Sequence, residues 1–193
     1  MNKEYYNNNA KSFVENTLNV DMTNLYDRFE KHLKKGDKIL DLGCGSGRDS
    51  LYFKNQGYSV EAIDYSEELA KSASKLIGQE VLVKDMREIS YVSEFDAIWA
   101  CASILHINRM DIHVIIKNCA RALKNGGVFY LSFKYGNKEE IKNGRFFNFY
   151  DEVSFKELIS TIDNLEIIEL FTTVDVRPKR EHEHWLNIIL KKI

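Results

Sequence analysis

The residues best suited to chemistry form a short run rich in glycine, Asp41-Leu42-Gly43-Cys44-Gly45-Ser46-Gly47. Three glycines at alternate positions let the backbone turn tightly and approach a ligand closely, because no side chain intervenes. A helix that starts directly after the run would present free N–H groups suited to a carboxylate or a phosphate. A tight turn needs only one glycine, so the run predicts a ligand-binding loop.

Two acidic residues follow the run where strands of a parallel sheet would end. Asp64 closes a second apolar segment, 17 residues after Gly47, and Asp85 follows a third. A carboxylate at the position of Asp64 can accept hydrogen bonds from both hydroxyls of a ribose. The run and Asp64 together predict a cofactor that carries a nucleoside.

Two familiar cofactor motifs do not fit this run. A dinucleotide fingerprint, Gly-x-Gly-x-x-Gly, needs a glycine where the sequence has Arg48 or Ser50. A phosphate-binding P-loop needs Gly-Lys-Ser or Gly-Lys-Thr, whereas Gly47 is followed by Arg48 and Asp49. The class that remains opens with an acidic residue and continues as Gly-x-Gly-x-Gly.

In this pattern the chain resembles the class I S-adenosylmethionine-dependent methyltransferases. The resemblance rests on the glycine run, Asp64 and Asp85, and by motif it covers about residues 38–134. It implies an α/β, Rossmann-like, doubly wound fold whose seven-stranded sheet is mostly parallel with an antiparallel last strand. More narrowly, the chain looks like small bacterial proteins grouped with the tellurite-resistance methyltransferases. Four segments carry this narrower likeness: 45–49, 99–106, 144–147 and 177–180.

The resemblance implies S-adenosyl-L-methionine as cofactor, with S-adenosyl-L-homocysteine as its product. The methionine part would lie against the glycine run, the ribose at the end of the second strand, the adenine after the third and the sulfonium after the fourth. Twelve residues are expected to form this site: Asp41, Gly43, Cys44, Gly45, Gly47, Arg48, Asp64, Tyr65, Asp85, Met86, Ala100 and Cys101.

The substrate side is predicted from residues that follow strand ends. Holding donor and acceptor in line can contribute about 7–11 kcal/mol to a direct displacement, so a catalytic base is not obligatory. His106 is the best candidate for a base, with a packing role as the alternative. Arg145, Arg177 and Arg180 could bind an anion or form a solvated basic face. Tyr6 could close over the site as part of an N-terminal lid, or pack as an ordinary helix residue.

Alternating strand-like and helical segments from residue 38 onward predict an α/β domain with a mostly parallel sheet. Seven segments are predicted as strands: 38–42, 59–63, 81–83, 95–100, 128–134, 165–171 and 185–190. The polar stretch 135–150 is predicted as a connection, and Ser154 with Glu157 as a helix capping box. Ligands bind outside the carboxyl ends of such strands, and the unusual segments all follow strand ends.

Length and composition narrow the remaining possibilities. The 193 residues predict a single domain, with N-terminal helices or a lid over 1–35 and the core over 36–193. The 27 basic and 29 acidic residues argue against a dedicated nucleic-acid binder.

The chain has no apolar run of about 18 residues and no signal peptide at its start, so no membrane partner is expected. Its three cysteines, an odd set, indicate reduced thiols and a cytoplasmic location. The segment 181–184 contains two histidines but lacks a third ligand, so no metal site is predicted.

The leading hypothesis is methyl transfer from S-adenosylmethionine to a small molecule, with an anion or a sulfur or chalcogen nucleophile as the acceptors considered. Methylation of RNA or DNA is a weaker alternative, because the net charge is only −2. In addition, residues 100–103 read Ala-Cys-Ala-Ser where enzymes that methylate base amino groups carry Asn/Asp-Pro-Pro-Tyr. A protein that binds the cofactor without turnover would keep the same glycine run and Asp64, so this alternative stays open.

Overall fold

A computed structural model describes residues 1–193 as six helices and one sheet of nine strands. The helices are α1 Asn2–Thr17, α2 Thr23–Glu30, α3 Arg48–Asn55, α4 Glu67–Ile77, α5 Arg109–Ala122 and α6 Glu152–Ile159. The strands are β1 Lys38–Leu42, β2 Ser59–Asp64, β3 Leu82–Val83, β4 Phe95–Ala100, β5 Leu123–Tyr135, β6 Glu139–Lys142, β7 Arg145–Tyr150, β8 Leu165–Val174 and β9 His184–Lys192. None of the helices is both long and apolar enough to cross a membrane.

Seven strands form the main body of the sheet in the order β3-β2-β1-β4-β5-β9-β8. The pairs β1–β2, β1–β4, β2–β3 and β4–β5 are parallel, whereas β9 runs antiparallel to both β5 and β8. This arrangement confirms the predicted Rossmann-like fold and its antiparallel last strand. The strand order reverses direction between β1 and β4, and a crevice at such a point is where ligands bind in open α/β sheets.

The two other strands correct the prediction that 135–150 is a plain connection. Strands β6 and β7 form a hairpin closed by Asn143 and Gly144, whose φ angles are +52° and +74°. Positive φ at both central residues is typical of the two-residue turn that matches the twist of a hairpin, and Asn-Gly is its preferred sequence. Strand β7 pairs with the end of β5 at Lys134 and Tyr135, beyond Leu131, where the pairing of β5 with β4 ends. The hairpin therefore lies at the carboxyl edge of the sheet.

Helix α6 begins earlier than the predicted capping box at Ser154 and Glu157. Its N-cap is Asp151, whose Oδ1 accepts a hydrogen bond from the Ser154 backbone N–H at 2.8 Å. The Ser154 Oγ in turn accepts from the Asp151 backbone N–H at 3.2 Å. Asp151 directly follows β7, so the strand leads into the helix without a loop.

Apolar clusters fill both faces of the sheet. On one face, α5 and α6 contribute buried side chains such as Ile112 and Phe155. On the other face, Phe29 and Phe53 pack against Trp99. Trp99 and Tyr130 are neighbours across β4 and β5, and their stacked rings lie 4.0 Å apart. Full burial of side chains of this size stabilises the fold by about 1.5–3 kcal/mol each, which makes the sheet a rigid support for its carboxyl edge.

Helix α1 has no buried residue and is attached to the body by polar contacts. Lys3 Nζ lies 2.7 Å from Glu67 Oε1 of α4. Asn2 exchanges two hydrogen bonds with the backbone of Phe146 in β7, donating to its carbonyl at 3.3 Å and accepting from its N–H at 2.8 Å. The helix therefore connects α4 to the β6–β7 hairpin across the carboxyl edge of the sheet.

Candidate functional site

Two adjoining cavities lie at the carboxyl edge. The β2-side cavity, of about 480 Å³, includes Asp64, Asp85 and Met86 in its wall. The β5-side cavity, of about 540 Å³, includes Arg48 and Arg145. Both volumes fall within the range of about 300–1,000 Å³ that is usual for small-molecule sites. Six residues line both cavities and mark their junction: Tyr6, Phe13, Gly43, Gly45, Ala102 and His106.

The three glycines of the run have different roles. At Gly43, φ is +87° and an added Cβ would lie 2.6 Å from Ser103 Cβ, so only glycine fits at this point of the junction. Gly45 also lines both cavities. Gly47 lines neither, and its would-be Cβ would lie 3.0 Å from Ala73 Cβ of α4. Gly47 therefore allows close packing of the loop on α4, and its part in the cofactor site stays a prediction.

Asp64 holds the loop that forms this junction. Its Oδ2 accepts a hydrogen bond from the Gly45 N–H at 2.8 Å, and its Oδ1 accepts from the Ser66 N–H at 2.8 Å. Burial raises the pKa of Asp64 above its ordinary value, although these backbone hydrogen bonds oppose the rise. Tyr65 lines the same cavity and is partly exposed to solvent. The carboxylate thus fixes the loop and still faces the β2-side cavity.

Asp85 and Met86 also lie where the sequence predicts them, in the wall of the β2-side cavity. The Arg87 guanidinium donates to Asp85 from Nε at 3.0 Å and from Nη2 at 2.5 Å. Burial alone would raise the pKa of Asp85, but the hydrogen bonds from Arg87 hold it below its ordinary value. An ionised carboxylate at this end of the cavity can accept a hydrogen bond from a ligand.

Asp41 does not line either cavity, and its contact with the cofactor stays a prediction. It is buried beneath the loop and accepts a hydrogen bond from Ser50 Oγ at 2.5 Å. Burial, followed by the neighbouring charge of Asp49, raises the pKa of Asp41 to about 8. The role of Asp41 is therefore to support the loop from below.

Replacing Asp41 by asparagine is expected to remove a pH dependence of stability. With a folded-state pKa of about 8 and an ordinary value of 3.8, the folded chain holds a proton that the unfolded chain releases over this interval. As the pH rises from about 4 to 8, the unfolding free energy of the wild type should therefore fall by a few kcal/mol relative to the variant. Urea unfolding at several pH values measures the difference, with Asp163→Asn on the exposed surface as control. A difference that stays constant over this range would contradict the raised pKa.

Asp49, which the sequence analysis did not single out, holds Arg48 against the wall of the β5-side cavity. The Asp49 carboxylate accepts from Arg48 Nε at 2.6 Å and Nη2 at 3.0 Å, from Trp99 Nε1 at 2.8 Å and from the Tyr26 hydroxyl at 2.5 Å. Arg48 Nη1 donates to the Thr17 carbonyl at 3.2 Å. The guanidinium is thus oriented in advance, and its charge is balanced by Asp49.

Ala100 and Cys101 lie at the end of β4, but only Cys101 lines the β5-side cavity. Ala100 is fully buried within the strand, and its contact with the sulfonium stays a prediction. Burial raises the pKa of Cys101 to about 12, so the thiol is unsuited to act as a nucleophile. Cys44 also lines this cavity. Ala102 occupies the junction with φ +51°, and its N–H donates to Ser132 Oγ at 2.9 Å.

His106 and Tyr6 form a hydrogen-bonded pair at the junction. His106 Nδ1 lies 2.7 Å from the Phe146 carbonyl oxygen, which can only accept, so Nδ1 carries the proton. His106 Nε2 therefore accepts from the Tyr6 hydroxyl at 2.7 Å. Burial lowers the pKa of His106 to about 4, so the ring is neutral at physiological pH. Burial also raises the pKa of Tyr6, which keeps its hydroxyl protonated.

The three predicted arginines do line the β5-side cavity, but two of them have carboxylate partners. Asp175 accepts from Arg177 Nε at 2.9 Å and also from its Nη2, and Arg180 Nη1 lies 3.7 Å from Glu183. Arg145 has no carboxylate partner. A cation that the sequence analysis did not single out, Lys134 of β5, lines the same cavity and pairs with Glu183.

Comparison with known proteins agrees with this geometry. Residues 39–127, from β1 into β5, match a family model described as a methyltransferase domain. The TehB protein of Haemophilus influenzae is 32% identical over 95 residues, which are 47% of this chain and 33% of that protein. The ubiquinone biosynthesis O-methyltransferase of Xanthomonas oryzae pv. oryzae is 36% identical over 105 residues, which are 50% of this chain and 43% of that protein. Residues 39–127 of the chain are therefore similar to a methyltransferase domain.

The fold of this chain is seen in solved structures as well. The 1,6-didemethyltoxoflavin-N1-methyltransferase of Burkholderia thailandensis, solved with bound 1,6-didemethyltoxoflavin and S-adenosylhomocysteine, superposes with a TM-score of 0.79 at 20% identity. That alignment covers 98% of this chain and 84% of the other. That neighbour was solved with S-adenosylhomocysteine, the product of the cofactor that the sequence predicts for this chain. Since the chain spans less than half the length of both curated relatives, its own reaction is considered separately below.

Proposed function

We propose that the protein transfers a methyl group from S-adenosylmethionine to a small molecule. The observation that carries the proposal is the junction of the two cavities over Gly43 and Gly45, at the point where the strand order reverses. One cavity suits a nucleoside and the other an acceptor, so the two ligands would meet at this junction. The Burkholderia enzyme, which was solved with a small molecule and S-adenosylhomocysteine together, supports this choice of substrate class.

The residues of the β2-side cavity fit the adenosine part of the cofactor. Each Asp64 oxygen accepts one backbone N–H and keeps a lone pair for a ribose hydroxyl. Asp85 and Met86 would border the adenine. Gly43, which lines both cavities, allows Ser103 to pack closely against the loop and leaves backbone rather than a side chain facing a ligand. When bound, S-adenosylmethionine supplies an electrophilic methyl group on a sulfonium.

The Tyr6–His106 pair would manage the proton of a hydroxyl or amine acceptor. His106 Nε2 is neutral and basic, and its orientation is fixed by the Phe146 carbonyl. The Tyr6 hydroxyl donates to this nitrogen and lines both cavities, so it can pass a proton to Nε2 as it accepts one from the acceptor. A pKa of about 4 makes His106 a weak base, and orientation of the acceptor would supply most of the rate.

His106→Gln is therefore expected to lower kcat for a hydroxyl or amine acceptor by about 100-fold while leaving affinity for S-adenosylhomocysteine unchanged. His113→Gln is the matched control, because His113 lies on α5 away from both cavities. Radiolabelled methyl transfer and calorimetric titration measure the two quantities. An equal loss of kcat and of cofactor affinity would assign His106 a structural role only.

Calorimetric titration of the purified protein with S-adenosylhomocysteine tests the proposed function directly. NADH and ATP are the comparison ligands, since neither should bind to a loop of this sequence. Selective micromolar binding of S-adenosylhomocysteine is expected, followed by methyl transfer to a member of a small-molecule acceptor panel. Absence of binding by folded protein would contradict the proposal, and binding without turnover on any acceptor would favour a non-catalytic role.

A further inference from the structure

The β5-side cavity has an extensive apolar wall. Its apolar side chains come from α1, from the segment that leads into α2, from α2 and from the carboxyl edge of the sheet, and they include Phe13, Met22, Leu25, Phe147 and Trp185. The Lys134 Nζ lies 5.6 Å from the Phe147 ring centroid and 5.7 Å from that of Trp185, so the two rings face one region. A small inorganic anion would leave the apolar side chains of this wall in contact with water, whereas a planar organic ligand would cover them.

The charges around the same cavity are largely balanced. Five lining side chains are cationic: Arg48, Lys134, Arg145, Arg177 and Arg180. Three carboxylates pair with them: Asp49, Asp175 and Glu183. Glu183 serves both Lys134 and Arg180, and the Arg180 side chain is 38% exposed, so solvent screens its charge. Arg145 is therefore the one lining cation that has neither a carboxylate partner nor a largely exposed position.

Arg145 is held in place by aromatic rings. Its Cζ lies 4.6 Å from the Tyr5 ring centroid and 5.0 Å from that of Phe147. Its Nε is buried and has no hydrogen-bond partner in the protein. A buried donor without a partner is costly, by about 1–3 kcal/mol, and an arginine fork is matched geometrically by a carboxylate.

The floor of the cavity offers neutral polar groups close to the junction. The Tyr130 hydroxyl donates to Asn187 Oδ1 at 2.8 Å, and Asn187 Nδ2 donates to Thr173 Oγ1 at 2.9 Å. Ser132 Oγ accepts from the Ala102 N–H and keeps its own proton to donate. These groups can bind a hydroxyl or ring nitrogen of an acceptor, but they add no charge.

We propose that the acceptor is a planar aromatic carboxylate whose anionic group binds Arg145 and whose ring covers the wall at Phe147 and Trp185. This assignment rests on the proposed function, in which the β5-side cavity holds the acceptor. It favours a single carboxylate over a phosphate, because the other cations inside the cavity are already paired. It also favours an organic acceptor over a sulfur or chalcogen oxyanion, because of the apolar wall.

Calorimetry on the full chain with saturating S-adenosylhomocysteine tests this assignment. Three carboxylates, benzoate, 2-naphthoate and quinoline-2-carboxylate, are each compared with the corresponding neutral amide, and sodium selenite serves as the inorganic anion. At least one carboxylate is expected to bind about 10- to 100-fold more tightly than its amide. Arg145→Gln should remove this preference, and Arg145→Lys should retain part of it. Arg121→Gln, on the exposed side of α5, is the matched control and should keep the preference in full.

The assignment is overturned if no carboxylate binds more tightly than its amide, if the preference survives in Arg145→Gln, or if selenite binds more tightly than all three carboxylates. Failure of the proposed function would look different, because S-adenosylhomocysteine itself would not bind. In that case the carboxylates are titrated into the protein alone. Binding that depends on Arg145 would still support the anion site, and its absence would overturn the assignment too.

Discussion

Gly43→Ala is expected to lower the unfolding free energy by about 2–5 kcal/mol and to abolish binding of S-adenosylhomocysteine. A side chain at φ +87° costs about 1–2 kcal/mol. The added Cβ would also lie 2.6 Å from Ser103 Cβ, and relief of such overpacking costs about 1–3 kcal/mol. Because Ser103 Oγ donates to the Leu42 carbonyl at 2.5 Å, Ser103 cannot move without breaking a contact that joins β1 to the end of β4. Urea unfolding and calorimetric titration measure the two effects.

Gly57→Ala is the matched control for this substitution. Gly57 has nearly the same backbone angle, φ +91°, but its would-be Cβ meets only Lys35 Cε at 3.9 Å. This variant should lose about 1–2 kcal/mol from the backbone angle alone and should bind the cofactor product normally. If the two variants had equal stability and equal affinity, the close approach at Gly43 would have no part in binding.

Asp64→Ala is expected to weaken binding of S-adenosylhomocysteine by about 1–3 kcal/mol, or roughly 5- to 150-fold. The substitution removes the acceptor for the ribose and also leaves the backbone N–H groups of Gly45 and Ser66 without their partner. Asp64→Asn keeps one carbonyl oxygen and should lose less. Calorimetry measures the affinity, and Asp163→Ala, an exposed aspartate, is the control. Unchanged affinity in Asp64→Ala would remove this carboxylate from the ligand site.

The main sheet could be predicted from the sequence because its strands are short apolar segments separated by helical ones. The β6–β7 hairpin was missed because its residues, such as Glu139, Lys142 and Asn148, read as a polar loop. The turn at Asn143 and Gly144 did carry the signal for a hairpin. The prediction rested on the polar composition of residues 135–150 and did not use the Asn-Gly dipeptide. In the structure, the turn and the aromatic residues of β7 stabilise the hairpin.

The glycine-rich loop at the end of β1 was predictable from residue type, but the balance of charge around it was not. Nothing in the local sequence distinguishes Asp49 from other acidic residues. Its place in the site depends on hydrogen bonds from Trp99 and Tyr26, which lie on elements distant in sequence. One kind of aspartate–arginine pair could have been predicted from the local sequence. The pattern Asp-x-Arg occurs at Asp85 and again at Asp175, and each time the carboxylate accepts both the backbone N–H and the guanidinium of the arginine two residues later. The charge of Arg177 is therefore balanced by Asp175, which lies in the same turn.

The attachment of α1 has a kinetic consequence. Tyr6 and Phe13 of this helix line both cavities, while Asn2 and Lys3 contact the hairpin and α4 beside the β2-side cavity. No residue of α1 is fully buried, so we expect the helix to open locally at a lower free energy than the sheet beneath it. Because its side chains line both cavities, one such opening would widen the path to each, and its rate would then act on the entry and release of both ligands.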